Sequence, residues 1–196
     1  MHEQLYALFH LDAKEVSCRF LYPAGWIKEE IMECDFFEVY MQKPPALSGG
    51  FGIFMVLRIY WDTSATAKDA LEKLCAHYRT GKDFRELGKA AGIVSGYPAV
   101  EIEFAWKILF PFHCIHAQWV PLRERHIFFR RGRDLWELYC AAAEEQYSAG
   151  IEAFRVLVKT LAFQEIELSS EGRHFHPIVD FPRGEADPID MGEEAR

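Results

Sequence analysis

The chain has 196 residues, half of them apolar, with 16 Phe and 5 Trp, which supplies one sizeable core and argues against global disorder. Its formal charge of −8 argues against a general nucleic-acid binder, because such proteins carry a basic face for the phosphate backbone. No apolar run approaches the roughly 20 residues that span a bilayer, and Met1-His-Glu-Gln-Leu does not open an export signal, so a cytoplasmic protein without a membrane span is expected.

Taken in order, Leu5 to Leu11 and Val16 to Tyr22 read as a hairpin around Asp12-Ala13-Lys14, with Val16, Cys18 and Phe20 on one face. Pro23 withholds a ladder donor, Gly25 permits a sharp turn, and Trp26 is free to pack back. Phe36 to Met41 and Gly52 to Trp61 are two further strands, joined by a loop rich in Pro and Gly. Thr66, followed three residues later by Asp69, has the pattern of a capping box. The helix it opens carries an apolar stripe of Ala67, Ala70, Leu71, Leu74 and Tyr78 and closes at Gly81.

Residues 82–95 hold only a weak strand candidate. From Gly96 to Ala143 the pattern is that of an antiparallel meander. Val100, Ile102, Phe104 and Trp106 alternate with Glu101, Glu103 and Ala105, and Gly132 can reverse the chain between two aromatic-rich runs. Tyr147, Ile151, Phe154, Val158 and Leu161 then form a second amphipathic helix, with Ser148 as its expected cap. The reading is therefore one domain over residues 1–168. Residues 169–196 form a Pro- and Gly-rich tail, of which 171–196 hold seven acids and three arginines.

The order of strands, helix, meander and closing helix, together with the turn Phe20 to Trp26, resembles the PsbP/Mog1-like family, including bacterial relatives of the DcrB and LpqN type. The resemblance covers about residues 16–164 and rests on that turn, Thr66 to Tyr78, Gly96-Tyr-Pro-Ala99, the hairpin at Gly132 and Phe154 to Phe163. These mark structural positions. What it implies is an α+β chain folded as an α/β/α sandwich with a mostly antiparallel sheet, in a family of accessory or binding proteins without an established reaction.

Candidate chemistry is sparse. His113-Cys-Ile-His116 has the wrong spacing for a strand, where residues three apart point to opposite faces. His174 and His176 fall in the tail. Gly49-Gly-Phe-Gly52 precedes a strand rather than a helix, so it is not a phosphate loop. Ser95 lacks the nucleophile-elbow pattern. Glu101 and Glu103 are placed on the wet face of a sheet. Cys18, Cys34, Cys75, Cys114 and Cys140 are scattered, with no Cys-x-x-Cys pair, and read as free thiols.

One cluster points to a partner. Arg123, Arg125, Arg130, Arg131 and Arg133 concentrate guanidinium groups suited to carboxylate or phosphate in an otherwise acidic chain. The expectation is a non-enzymatic protein, with no cofactor and no metal, that binds another protein. The alternative is a small apolar or lipid-like ligand in an aromatic-lined pocket, and a distant third is an enzyme using His113, His116 or the glutamates.

Overall fold

The meander is the middle of a larger sheet. The computed structural model describes residues 4–13, 16–44, 50–112 and 115–163, all within one compact unit, Met1–Ile166. The elements in order are β1 (Tyr6–Ala13), β2 (Val16–Pro23), β3 (Ile27–Met32), β4 (Phe36–Gln42), β5 (Ile53–Tyr60), α1 (Ala67–Tyr78), β6 (Lys82–Val94), β7 (Tyr97–Phe110), β8 (Gln118–Arg131), β9 (Asp134–Ala143), α2 (Tyr147–Thr160) and β10 (Ala162–Phe163). Seven strands form one sheet in the order β3-β4-β5-β9-β8-β7-β6, and β1-β2-β10 form a second. Every pairing is antiparallel.

Strand parity divides the large sheet into two faces. Phe37, Val39, Met41, Ile53, Met55, Leu57, Ile59, Phe129, Trp136 and Leu138 point to the face where α2 and the small sheet lie. Ile102, Phe104 and Phe128 point to the other face, where α1 covers them with Leu71 and Cys75. The expected α/β/α sandwich is the one observed.

Helix α2 sits close enough to the sheet to require a residue without a side chain. A Cβ at Gly150 would lie 2.8 Å from Ile53 Cγ2 and 3.3 Å from Cys140 Sγ. At α1 the capping box is present: Asp69 N donates to Thr66 Oγ1 (3.1 Å) and Thr66 N donates to Asp69 Oδ2 (3.0 Å).

Three sequence readings change. Residues 82–94 form a full 13-residue strand, and Ile27–Met32 is a strand the sequence reading passed over. Both are edge strands with largely exposed side chains, so they lack the buried alternation that identifies a strand from its pattern. Ser148 does not cap α2: a 3-10 turn, Glu144–Gln146, leads into it, and Gln146 stands at the N-cap without a side-chain bond.

Candidate binding face

Helix α1 packs on β7 and β8, at one side of its face of the sheet. Across β4, β5 and β9 the same face presents Phe36, Tyr40, Phe54, Arg58, Tyr60 and Tyr139, each half-buried. Their rings touch in series. Tyr40 lies 5.5 Å from Phe54, Phe54 is 5.6 Å from Phe51 and 6.0 Å from Tyr139, and Phe51 is 5.6 Å from Phe110. Along the edge, Ile27 and Ile31 of β3 extend this face, both exposed.

Woven into the same face is an ionic network whose imidazole and carboxylates are buried. The His126 ring is stacked between Tyr139 (4.7 Å, 9°) and Phe104 (5.4 Å, 11°). Its Nδ1 is 2.9 Å from Glu137 Oε1 and its Nε2 is 3.1 Å from Glu124 Oε2. An ionised carboxylate only accepts, so an imidazolium donating from both nitrogens fits this geometry. The second oxygen of Glu137 accepts from the Tyr60 hydroxyl (3.0 Å) and from Arg58 (3.2 Å), while Arg58 Nε donates to Glu38 (2.6 Å). Glu124 also accepts from Trp106 Nε1 at 2.5 Å.

These contacts set the charge states. Burial works against the His126 charge, but the bonds to Glu124 and Glu137 outweigh it and hold the imidazole above its ordinary range. Burial likewise disfavours ionised Glu137, and His126, Arg58 and Tyr60 overcome it and hold the carboxyl below its ordinary range. The Tyr60 phenol is pushed up to about 12 by burial and by Glu137. With its hydrogen bonds satisfied internally, the network ties β4, β5 and β9 to β8 through their side chains. Its carboxylates are tied to fixed cations, which is a structural use of charge.

The sequence-identified arginines do not form one surface. Arg123 Nε donates to Glu103 (2.6 Å) and its guanidinium lies 4.5 Å from the Tyr147 ring centroid; Arg125 is bonded to Glu101 at 2.7 Å. Arg130 donates to the carbonyls of Ala65 and Arg133, each at 2.9 Å. Arg131 lies over Phe163 at 4.8 Å from the ring centroid. Arg133 pairs with Asp62 yet keeps 82% of its side chain exposed. Arg131 and Arg133 share one shallow cavity with Asp62, Tyr97 and Asp134; Arg123 and Arg125 lie at the far end of β8, on the α2 side.

Glu101 and Glu103 are therefore half-buried partners of two of these arginines on the α2 side. Ser95, at φ +48°, donates to the Leu161 carbonyl. His113, Cys114, Gly49 and the tail histidines lie outside the described residues. The His126 network was invisible to sequence reading because its members come from five strands; the local signals were Glu124 with His126 and Arg58 with Tyr60, each two apart on a strand and so on one face.

An antiparallel sheet with one helix on each face and an N-terminal hairpin defines the PsbP/Mog1-like fold, and the chain has it. It is similar to LpqN of Mycobacterium tuberculosis, described as involved in cell envelope biogenesis, at TM-score 0.53 and 10% identity over 81% of this chain and 91% of that one. It is also similar to the cyanobacterial PsbP (CyanoP) of Synechocystis sp. PCC 6803, at TM-score 0.51 and 12% identity over 84% and 96%. Identities this low speak to fold alone. No family model matches the chain, and no curated protein matches it in sequence.

Proposed function

We propose that the chain is a non-catalytic accessory protein of the cytoplasm that binds another protein through the open face of its large sheet. The observation that carries this reading is the row of half-buried rings, Tyr40, Phe54, Phe51 and Tyr139, which no helix among the described residues covers and which stand beside an ionic network on the same face. Aromatic side chains combine apolar area with a polar tip and few rotatable bonds, which makes them good anchors for a partner surface. The fold's likeness to LpqN, a protein described as involved in cell envelope biogenesis, agrees with an accessory role. Arg131 and Arg133 are proposed to add a second, electrostatic contact at the β8–β9 turn.

The test uses a partner recovered with the full chain from its native cell and identified by mass spectrometry. Tyr40→Ala with Phe51→Ala should weaken its binding at least tenfold while the unfolding midpoint holds. Equal affinity of variant and wild type would refute this face as the contact.

One observation favours a second reading, a small apolar ligand. A groove of about 390 Å³ runs between α2 and β6, lined by Ile93, Val94, Ile127, Phe154 and Val158, with Arg125 and Glu101 at its wall. Its volume lies in the lower range of ligand sites. Extraction of native protein and mass spectrometry of the extract tests it: a stoichiometric lipid-like molecule supports this reading.

A further inference from the structure

Strands β7 and β8 run on beyond their neighbours. β9 pairs with β8 no further than Ala143 opposite Leu122, and β6 pairs with β7 no further than Lys82 opposite Lys107. Past that point, Ile108–Phe110 pair with Gln118–Val120 as a two-stranded arm with no strand on either side among the described residues. At about 3.4 Å per residue the paired part projects roughly 10 Å, before the turn.

The arm is apolar where it is most exposed. Leu109, Phe112, Ile115 and Trp119 are 45%, 62%, 98% and 52% exposed. Acidic charge is kept off it: from Phe104 to Arg123 there are 20 residues without an Asp or Glu, in a chain with 30 acids, and no Lys or Arg stands between Lys107 and Arg123. At the neck, the Lys82 ammonium stands 5.5 Å from the centroid of the Trp119 ring. The neck acids are matched, Asp83 with Lys107 (2.7 Å) and Glu144 with Arg85 (3.8 Å). A tip without Asp, Glu, Lys or Arg, carrying His116, an indole at its base and the Lys82 ammonium beside that indole are the layers of a membrane interface, in the order a bilayer presents them.

We propose that this arm is a bilayer-insertion element, which seats Leu109, Phe112 and Ile115 in the interfacial region of an anionic membrane, with Trp119 and Lys82 at headgroup level. Charge complementarity selects this occupant. The protein as a whole is acidic and is repelled by an anionic surface, and the arm is the sector that can approach one. A second copy fits less well, since four partly exposed side chains offer on the order of 400 Å², about half of what each partner contributes to a stable interface.

The experiment is flotation of the full chain with vesicles of phosphatidylcholine alone and of phosphatidylcholine with 30% phosphatidylserine. Wild type should float with the anionic vesicles, more weakly with the neutral ones, and less in high salt. Phe112→Ser with Ile115→Ser should lower binding at least about 100-fold, since each buried apolar side chain of this size is worth tenfold or more. The variant should unfold at the wild-type midpoint, because both side chains are already exposed. Bilayer-brominated lipid should quench the wild type more than Trp119→Phe. Failure of wild type to float, or equal flotation of the double variant, overturns the proposal. So does a wild-type dimer that the double variant dissolves, which would make the arm a contact between copies.

Discussion

Replacing His126 by Leu tests the buried network most directly. The side chain is 3% exposed, its two nitrogens serve Glu124 and Glu137, and those carboxylates are 5% and 3% exposed. Leucine removes the cation and leaves two buried carboxylates facing an apolar group. Glu137 keeps Arg58 and Tyr60, and Glu124 keeps Trp106, so neither is fully orphaned. Breaking a buried pair from one side costs about 3–5 kcal/mol, a large share of the 5–15 kcal/mol of a typical domain. A triple variant, His126→Leu with Glu124→Gln and Glu137→Gln, should recover much of the loss, because the desolvation cost of these three charges goes with them while Arg58 keeps Glu38.

The pH dependence has a definite sign. His126 is held above its unfolded pKa, so its contribution is complete below about pH 6.5 and is lost as pH rises through the folded value. Glu137 is held below its unfolded pKa, so its contribution is complete above about pH 4.5 and is lost as pH falls through the folded value. Urea unfolding at pH 5.5 and at progressively alkaline pH should show the gap between wild type and His126→Leu narrowing as pH rises. A gap below 1 kcal/mol at pH 5.5, or one that widens with pH, would refute the imidazolium assignment.

The other predictions are narrower. Gly150→Ala should destabilise by about 1–2 kcal/mol, because the contact with Ile53 costs about 1–3 kcal/mol as overpacking and the gain in helix propensity returns at most about 1 kcal/mol; a higher melting temperature would refute the close approach. In a Cys114→Ser background, a thiol reagent at pH 8 should modify exposed Cys34 quickly. Cys18 and Cys140, whose thiols burial pushes up to about 12, should react only on unfolding, and fast labelling of either would contradict their burial. Arg131→Gln with Arg133→Gln should leave the unfolding midpoint unchanged and weaken the recovered partner chiefly at low salt; salt-independent binding would return these residues to idle surface.

What could be read from the residues was whatever had a one-sided burial pattern. Thr66 and Asp69 fix a helix start by local bonds, and the alternation from Val100 to Trp106 follows from one face meeting α1. Edge strands β3 and β6 have no such face, so β6 shows in the sequence only as a weak strand candidate and β3 not at all. The arginines failed as a group for a related reason. Proximity in sequence says nothing about cross-strand neighbours: the register sets Glu103 opposite Arg125, and the acids pair diagonally, Glu103 with Arg123 and Glu101 with Arg125. The His126 network depends wholly on register across β5, β9 and β8, and one-residue slips would scatter it.

The two faces of the sheet divide the labour that the composition only hints at. On the α2 side the inward positions of β4, β5 and β9 are apolar, and Gly150 lets the helix sink onto β5 and β9, so that side supplies most of the hydrophobic stabilisation. On the α1 side, the helix is placed over β7 and β8, and the strands beside it carry Glu38, Arg58 and Glu137, locked to one another and to His126 of β8. Hydrophobic residues there would bury as well or better in energy, but they would leave the open face sticky. A satisfied ionic network keeps the open strands in register while their outermost rings, Tyr40, Phe51 and Phe54, stay available to solvent or to a partner. The loss of His126 should therefore loosen this face first, with faster amide exchange in β5 and β9 than in β4's apolar contacts with the α2 side. Uniform acceleration over all four central strands would mean that the network supports the whole sheet rather than its open face.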